Sequence, residues 1–364
     1  VRLAVDADDL ALIHGPPGTG KTHTIARIVE ALIDRGERVL LSAFTNRAVD
    51  NALDAVRDRG IADVARVGTE HGIREDMLDV RLEQGGEPNE RAAALRDASV
   101  VAATTATCGS RVMREQSFDV ALVDEASQLT EPGTLAAVSR ADRFVLVGDH
   151  EQLPPVVQAE NDLQTSLFER LIETYPEASV LLDRQYRMAQ RIQAFSSREF
   201  YDGALRPAEG SVAAQRLSDL GVDESTLPDS LRNRVAFVDP GGERVGNTNP
   251  VEADHVADVV DAYLAAGVDP DDIGVIAPFR AQVAEIDRRT DVAVDTVDRF
   301  QGSAKEVIVV SFVASGSLES PIFEDHRRVN VALTRARKAL ALVGSADALE
   351  TDPFYARMLA WARQ

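Results

Sequence analysis

The chain has 364 residues, with 60 Asp and Glu against 39 Lys and Arg, a net charge of −21 and 45% apolar residues. That apolar content supports buried cores, and at roughly 150 residues per domain the length predicts two units. Cys108 is the only cysteine, which excludes internal disulfides and cysteine-rich metal sites; no secretory leader and no run of eighteen apolar residues is present, which predicts a cytoplasmic protein away from membranes.

The first strand signal is the short apolar run Leu10-Ala11-Leu12-Ile13, and apolar residues at helical spacing follow from Thr24 to Ile33. Between them, Gly15-Pro16-Pro17-Gly18-Thr19-Gly20-Lys21-Thr22 fits the pattern G-x-x-x-x-G-K-[ST] at every fixed position. Glycines let a backbone curl with its N–H groups inward around phosphates, and the positive end of the following helix adds to the cradle. The pattern assigns Lys21 to the β and γ phosphates of a nucleoside triphosphate and the Thr22 hydroxyl to Mg²⁺. Farther along, Glu83 to Glu90 reads as an exposed turn between short polar helices.

Phe118-Asp119-Val120-Ala121-Leu122-Val123 reads as a strand that ends in Asp124-Glu125-Ala126-Ser127-Gln128. A carboxylate at such a strand tip holds Mg²⁺ and a second beside it takes a proton from attacking water, so Asp124 is assigned to the metal and Glu125 to the general base. The next strand, Arg143 to Val147, runs into Gly148-Asp149-His150-Glu151-Gln152-Leu153-Pro154-Pro155, where Gln152 is assigned hydrogen bonds to both the γ phosphate and the attacking water. A domain boundary is expected near Glu173 to Glu177, and the stretch Asp239 to Pro250 reads as a loop before a helix over Val251 to Leu264.

The blocks GPPGTGKT, VDEASQ and VGDHEQLPP, in this order and spacing, resemble motifs I, II and III of superfamily 1 helicases, most of all the 5′-to-3′ branch typified by the nonsense-mediated-decay RNA helicase and its DNA-acting relatives. Leu182 to Met188 resembles motif IV, Val297 to Gly302 motif V and Val329 to Arg337 motif VI, so the resemblance covers nearly the whole chain. It implies an α/β fold of two tandem RecA-like P-loop domains with mainly parallel sheets, at residues 1–177 and 178–364, and an ATP site in the interdomain cleft. It further implies ATP and Mg²⁺ as cofactors and single-stranded DNA or RNA as partner, with hydrolysis coupled to 5′-to-3′ translocation and duplex unwinding. Two alternatives stand beside it: remodelling of ribonucleoprotein without unwinding, and an ATP-gated binding switch with little turnover.

By the same resemblance Arg187 and Arg335 match the family's two arginine fingers, which stabilise charge on the γ phosphate, and Tyr186 stacks on the nucleotide base. Ser42 to Asn51 resembles motif Ia, Ala103 to Thr107 a later threonine-bearing motif, and Ala277 to Gln282 the corresponding loop of the second domain. These matches assign Thr45, Asn46, Thr104, Thr105, Pro278 and Arg280 to a sequence-independent track for a single strand. Phe44 and Phe279 read as base-stacking residues or as core, the core reading being at least as strong. Ala304 stands where the family has a ribose-contacting glutamate, and the family's adenine-reading glutamine is expected upstream of Val1.

Three lysines stand against 36 arginines in this acidic chain. An acidic, lysine-poor surface is what solubility in a high-salt cytoplasm demands, which predicts a haloarchaeal source over a merely GC-rich genome. In molar salt little counterion-release energy remains, so a strand would be held by stacking and directed hydrogen bonds.

Overall fold

Buried on both faces, the strands of an all-parallel sheet are apolar at nearly every position, and this chain supplies two such sheets. The computed structural model describes residues 1–82, 88–157, 164–300, 302–314, 318 and 321–364. The turn expected over Glu83 to Glu90 lies mostly outside them, and a helix begins at Pro88 (Pro88–Asp97). The chain divides into two compact units, Val1–Leu182 and Asp183–Gln364.

The first unit contains β1 (Leu10–His14), β2 (Val39–Ala43), β3 (Val64–Val67), β4 (Val100–Thr104), β5 (Phe118–Asp124), β6 (Ala141–Gly148) and β7 (Ser179–Leu181). They form one seven-stranded sheet in the order β3-β4-β2-β5-β6-β1-β7, with every pairing parallel. Successive side chains leave a strand on opposite faces. Accordingly Ile13, Leu41, Leu122 and Val147 enter one core, and Leu12, Leu40, Val123 and Leu146 enter the other. Each such side chain contributes about 1.5–3 kcal/mol by leaving water. The division falls after Leu182 rather than after residue 177, because β7 pairs with β1 and so completes the first sheet.

In the second unit a short two-stranded parallel ribbon pairs β8 (Arg184–Gln185) with β9 (Arg206–Pro207). The main sheet has five strands: β10 (Val235–Val238), β11 (Ile273–Ala277), β12 (Ala293–Thr296), β13 (Lys305–Ser311) and β14 (Ala336–Val343). Their order is β10-β14-β13-β11-β12, again all parallel. The helix Pro250–Ala265 packs Val256, Val260 and Tyr263 into a core with Val275, Val309 and Ala341. Among the described residues no helix is long and apolar enough to cross a membrane.

Candidate functional site

In an open parallel sheet, ligands bind outside the carboxyl ends of the strands. In the first unit β1 ends at His14, and the chain turns through Gly15–Gly20 into the helix Lys21–Ile33. Gly18 and Gly20 have φ of +76° and +79°, the left-handed region that a side chain would strain. Thr19 folds its hydroxyl onto the Pro16 carbonyl at 2.7 Å, and the Gly15 N–H donates to the Gly148 carbonyl at 2.9 Å. Lys21 arches over the loop: its Nζ donates to the Gly15 carbonyl at 2.8 Å, and a Cβ on Gly15 would stand 2.4 Å from the Lys21 Cγ. Glycine at position 15 is therefore what lets the lysine lie along its own loop.

Asp124 closes β5, two strands from β1 across β6. Its Oδ1 accepts from the Glu125 N–H at 2.8 Å. Burial pushes the Asp124 carboxyl up to about 7, the charge of Glu125 adds to this, and Lys21 pulls against it. Glu125 has φ 51° and ψ 36°, a left-handed conformation that costs a residue with a Cβ about 1–2 kcal/mol. That kink turns the chain at the strand tip, and the Gln128 amide donates to Glu125 Oε2 at 2.8 Å. On the neighbouring strand β6, Asp149 and Gln152 follow Gly148, and Gln152 Nε2 donates to Asp149 Oδ2 at 2.6 Å. Lys21, Thr22, Asp124, Glu125 and Gln152 thus gather at the carboxyl ends of three adjacent strands.

The two arginines lie in the second unit. Arg187 Nη1 donates to the Thr334 carbonyl at 3.1 Å, and Arg335 Nη2 donates to the Thr334 hydroxyl at 3.3 Å. Arg335 is only 2% exposed and also donates to the carbonyls of Val331 and Ser303. Residues 148 positions apart in sequence therefore meet on one threonine. Tyr186, beside Arg187, is 61% exposed. Ala304 precedes β13; Lys305 donates to the Asp271 carbonyl and Glu306 pairs with Lys338 at 2.5 Å, so each of the two following side chains has a structural task of its own.

The residues of the first unit expected to form a track occupy the same sheet edge as the phosphate loop, shifted sideways to β2 and β4. Ala43 stands in register with Thr104 on one side and Asp124 on the other. The side chains here have structural tasks. The Thr45 hydroxyl caps the helix Asn46–Arg57 through the Ala48 N–H, and the Thr104 hydroxyl caps the short helix Thr105–Cys108 through the Thr107 N–H. Thr105 is buried, and Asn46 Oδ1 accepts from the buried Arg66 at 2.8 Å. Phe44 is 53% exposed, which overturns its reading as core. In the second unit Pro278 and Phe279 are half-buried and Arg280 is exposed just past β11, with the Arg244 guanidinium 4.8 Å above the Phe279 ring.

Three arrangements escaped the sequence. His14 Nε2 contacts Asp149 Oδ1 at 3.0 Å, joining the residue before the phosphate loop to the one that holds Gln152. Arg66 and Asp50 form a fully buried pair at 2.7 Å that braces Asn46. In the second unit the buried Glu252 Oε1 accepts from the Ser311 hydroxyl and the Val313 N–H, and Gln282 links Ser311 to Asn249. Cys108 is buried against Ser42, and burial raises its thiol to about 11.

Two family models, each described as an AAA domain, match residues 1–89 with 84–160, and 163–347. The chain is 37% identical, over 97% of its length, to the DNA replication ATP-dependent helicase/nuclease JHS1 of Arabidopsis thaliana, of which it spans 28%. It is 31% identical, over its whole length, to an uncharacterized ATP-dependent helicase of Methanocaldococcus jannaschii, of which it spans 69%. A solved arterivirus nonstructural protein 10 (helicase), in complex with DNA, shares the fold at a TM-score of 0.54 and 17% identity, over 96% of this chain and 64% of that one. With its phosphate loop, paired strand-end acids and two parallel sheets, the chain belongs to the ATP-dependent helicases of superfamily 1.

Proposed function

We propose that this chain hydrolyses ATP to move 5′ to 3′ along single-stranded nucleic acid and to separate duplex strands. The observation that carries the reading is the convergence of Lys21, Thr22, Asp124, Glu125 and Gln152 at adjacent strand ends. Water attacks the γ phosphorus in line, the bond to the β–γ bridging oxygen breaks, and the water proton passes to Glu125. Lys21 takes charge on the phosphate oxygens, and Arg187 and Arg335 add positive charge from the second unit.

The hydroxyl of Thr22 and the buried carboxylate of Asp124 are hard oxygen donors of the kind Mg²⁺ takes, and a cation beside Asp124 offsets the burial that raises its proton affinity. A Mg²⁺ held by Thr22 and Asp124 would supply positive charge against the triphosphate.

Phe44 and the loop Pro278–Arg280 are the surfaces proposed to meet the strand, the first by stacking. The Arabidopsis relative is named for DNA replication, which favours DNA over RNA. The net charge of −21 with three lysines favours work at high salt. Strand displacement from duplexes carrying a 5′ or a 3′ single-stranded tail, in molar and in dilute salt, tests the reading. Displacement of 5′-tailed DNA alone, stronger in molar salt, is expected; displacement of 3′-tailed duplex overturns the direction.

A further inference from the structure

Asp149 takes no part in the chemistry proposed above, yet it is fully buried directly behind the phosphate loop. Its Oδ1 receives the His14 Nε2 at 3.0 Å and the Glu151 N–H at 3.2 Å, its Oδ2 receives the Gln152 Nε2 at 2.6 Å, and its own N–H donates to the Ser127 hydroxyl at 3.0 Å. These contacts join the strand before the loop, the turn after the acids of β5, and the side chain of Gln152.

Burial by itself raises the Asp149 carboxyl; the hydrogen bond and charge of His14, the charge of Lys21 and the Gln152 bond outweigh it and hold the group below the usual carboxylate range. An ionised carboxylate only accepts hydrogen bonds, so a side-chain amide against it presents nitrogen. The amide of Gln152, itself 4% exposed, then has one orientation, with Oε1 turned away from Asp149. His14 directly precedes Gly15, and its main-chain carbonyl accepts from the Leu182 N–H at 2.8 Å, so the anchor behind Asp149 belongs to the frame of the sheet.

We propose that Asp149 is a positioning residue for hydrolysis: it holds the nitrogen of Gln152, so that Gln152 offers its carbonyl oxygen to the attacking water as an acceptor, and His14 fixes Asp149 against the phosphate loop. The inference rests on the reading of Gln152 given above. Asp149→Asn keeps the size of the side chain but lets it present either amide atom, which releases the orientation of Gln152 and costs turnover, not ATP affinity.

The test is a double-mutant cycle on the full chain, reading kcat and KM for ATP with single-stranded DNA present. Asp149→Asn is expected to lower kcat about 10–100-fold with KM changed less than about threefold, the split that a lost orienting contact gives. In a Gln152→Ala background the same change is expected to cost less than about twofold more, because the two residues act as one unit. His14→Gln, which keeps a donor, is expected to retain more of kcat than His14→Ala, and serves in the same cycle if Asp149→Asn does not fold. Full turnover by Gln152→Ala sinks the reading of Gln152 itself. A large loss in Gln152→Ala combined with wild-type kcat in Asp149→Asn, or with fully additive losses, overturns the positioning role alone.

Discussion

The two units build the same kind of sheet and use its edges differently. In the first, the phosphate loop after β1, the acids at the end of β5 and the loop after β6 share the carboxyl edge with Phe44 and Thr104, which follow β2 and close β4. In the second, Pro278 to Arg280 follow β11 at the carboxyl edge, whereas Arg335 directly precedes β14 and donates to Ser303 just before β13, at the opposite edge. Strands of five to eight residues place those edges about 17–26 Å apart. In the first unit the residues proposed for nucleotide and for strand are therefore separated by lateral shifts between neighbouring strands. In the second unit they are separated by the length of the sheet. The first edge is rich in left-handed and glycine backbone, with Gly18, Gly20 and Glu125; the arginine edge of the second is held by hydrogen bonds on Thr334.

The largest effect that breaks this contrast is expected at the arginine edge. Arg335→Ala and Arg187→Ala are each expected to lower ATP turnover roughly 10³-fold, the scale of a lost arginine finger. Arg335→Ala is also expected to lower the melting temperature, since its guanidinium is buried on three backbone or hydroxyl partners; Arg187, half-buried, is expected to leave it nearly unchanged. Equal melting shifts would contradict the difference drawn between them.

At the first edge, Asp50→Ala strips the buried Arg66 of its partner and is expected to destabilise the protein by about 3–5 kcal/mol in denaturant titrations. A loss under about 1 kcal/mol would mean that the buried pair contributes little to holding this edge together.

A smaller effect sharpens the second carboxyl edge. Burial raises the Glu252 carboxyl from 4.5 to about 7, against the hydrogen bonds from Ser311 and Val313. A raised acid binds its proton more tightly in the folded state, so its contribution is greatest below pH 4.5 and declines as pH rises to about 7. Glu252→Gln removes that decline, and its stability relative to wild type is expected to rise by about 1–3 kcal/mol from pH 5 to pH 8. A difference that stays constant with pH would show that Glu252 is ionised in the fold. The smallest effect is expected from the exposed Arg280: Arg280→Ala should raise the half-saturating concentration of single-stranded DNA roughly fivefold, the scale of one contact. No change would move the track elsewhere.

What could be read from the sequence follows the reach of local chemistry. The placement of the phosphate loop and of Asp124 and Glu125 at strand ends was legible because each is a short run that directly follows an apolar strand. The two parallel sheets were legible because strands buried on both faces are apolar runs. The His14–Asp149 contact spans 135 positions, and no local pattern announces it. The three residues of β7 are too short to declare which sheet they extend, so the boundary moved to Leu182. Phe44 read as core at least as readily as a stacking residue because it adjoins a strand buried along its whole length, yet the chain turns outward there to cap the next helix at Thr45. Asn46 looked free to meet phosphate; its buried partner Arg66 comes from β3, across β4 from the strand before it.

On the function proposed, ATP turnover answers to a nucleic-acid strand through the acids of the first edge. Steady-state ATPase activity in high-salt buffer, with and without single-stranded DNA, reads this coupling in the wild type and in Glu125→Gln. Strong stimulation in the wild type is predicted, with a loss of about 10²–10⁴-fold in Glu125→Gln and retained ATP binding. ATP binding without stimulated turnover in the wild type, or stimulated turnover that survives Glu125→Gln, would contradict the account.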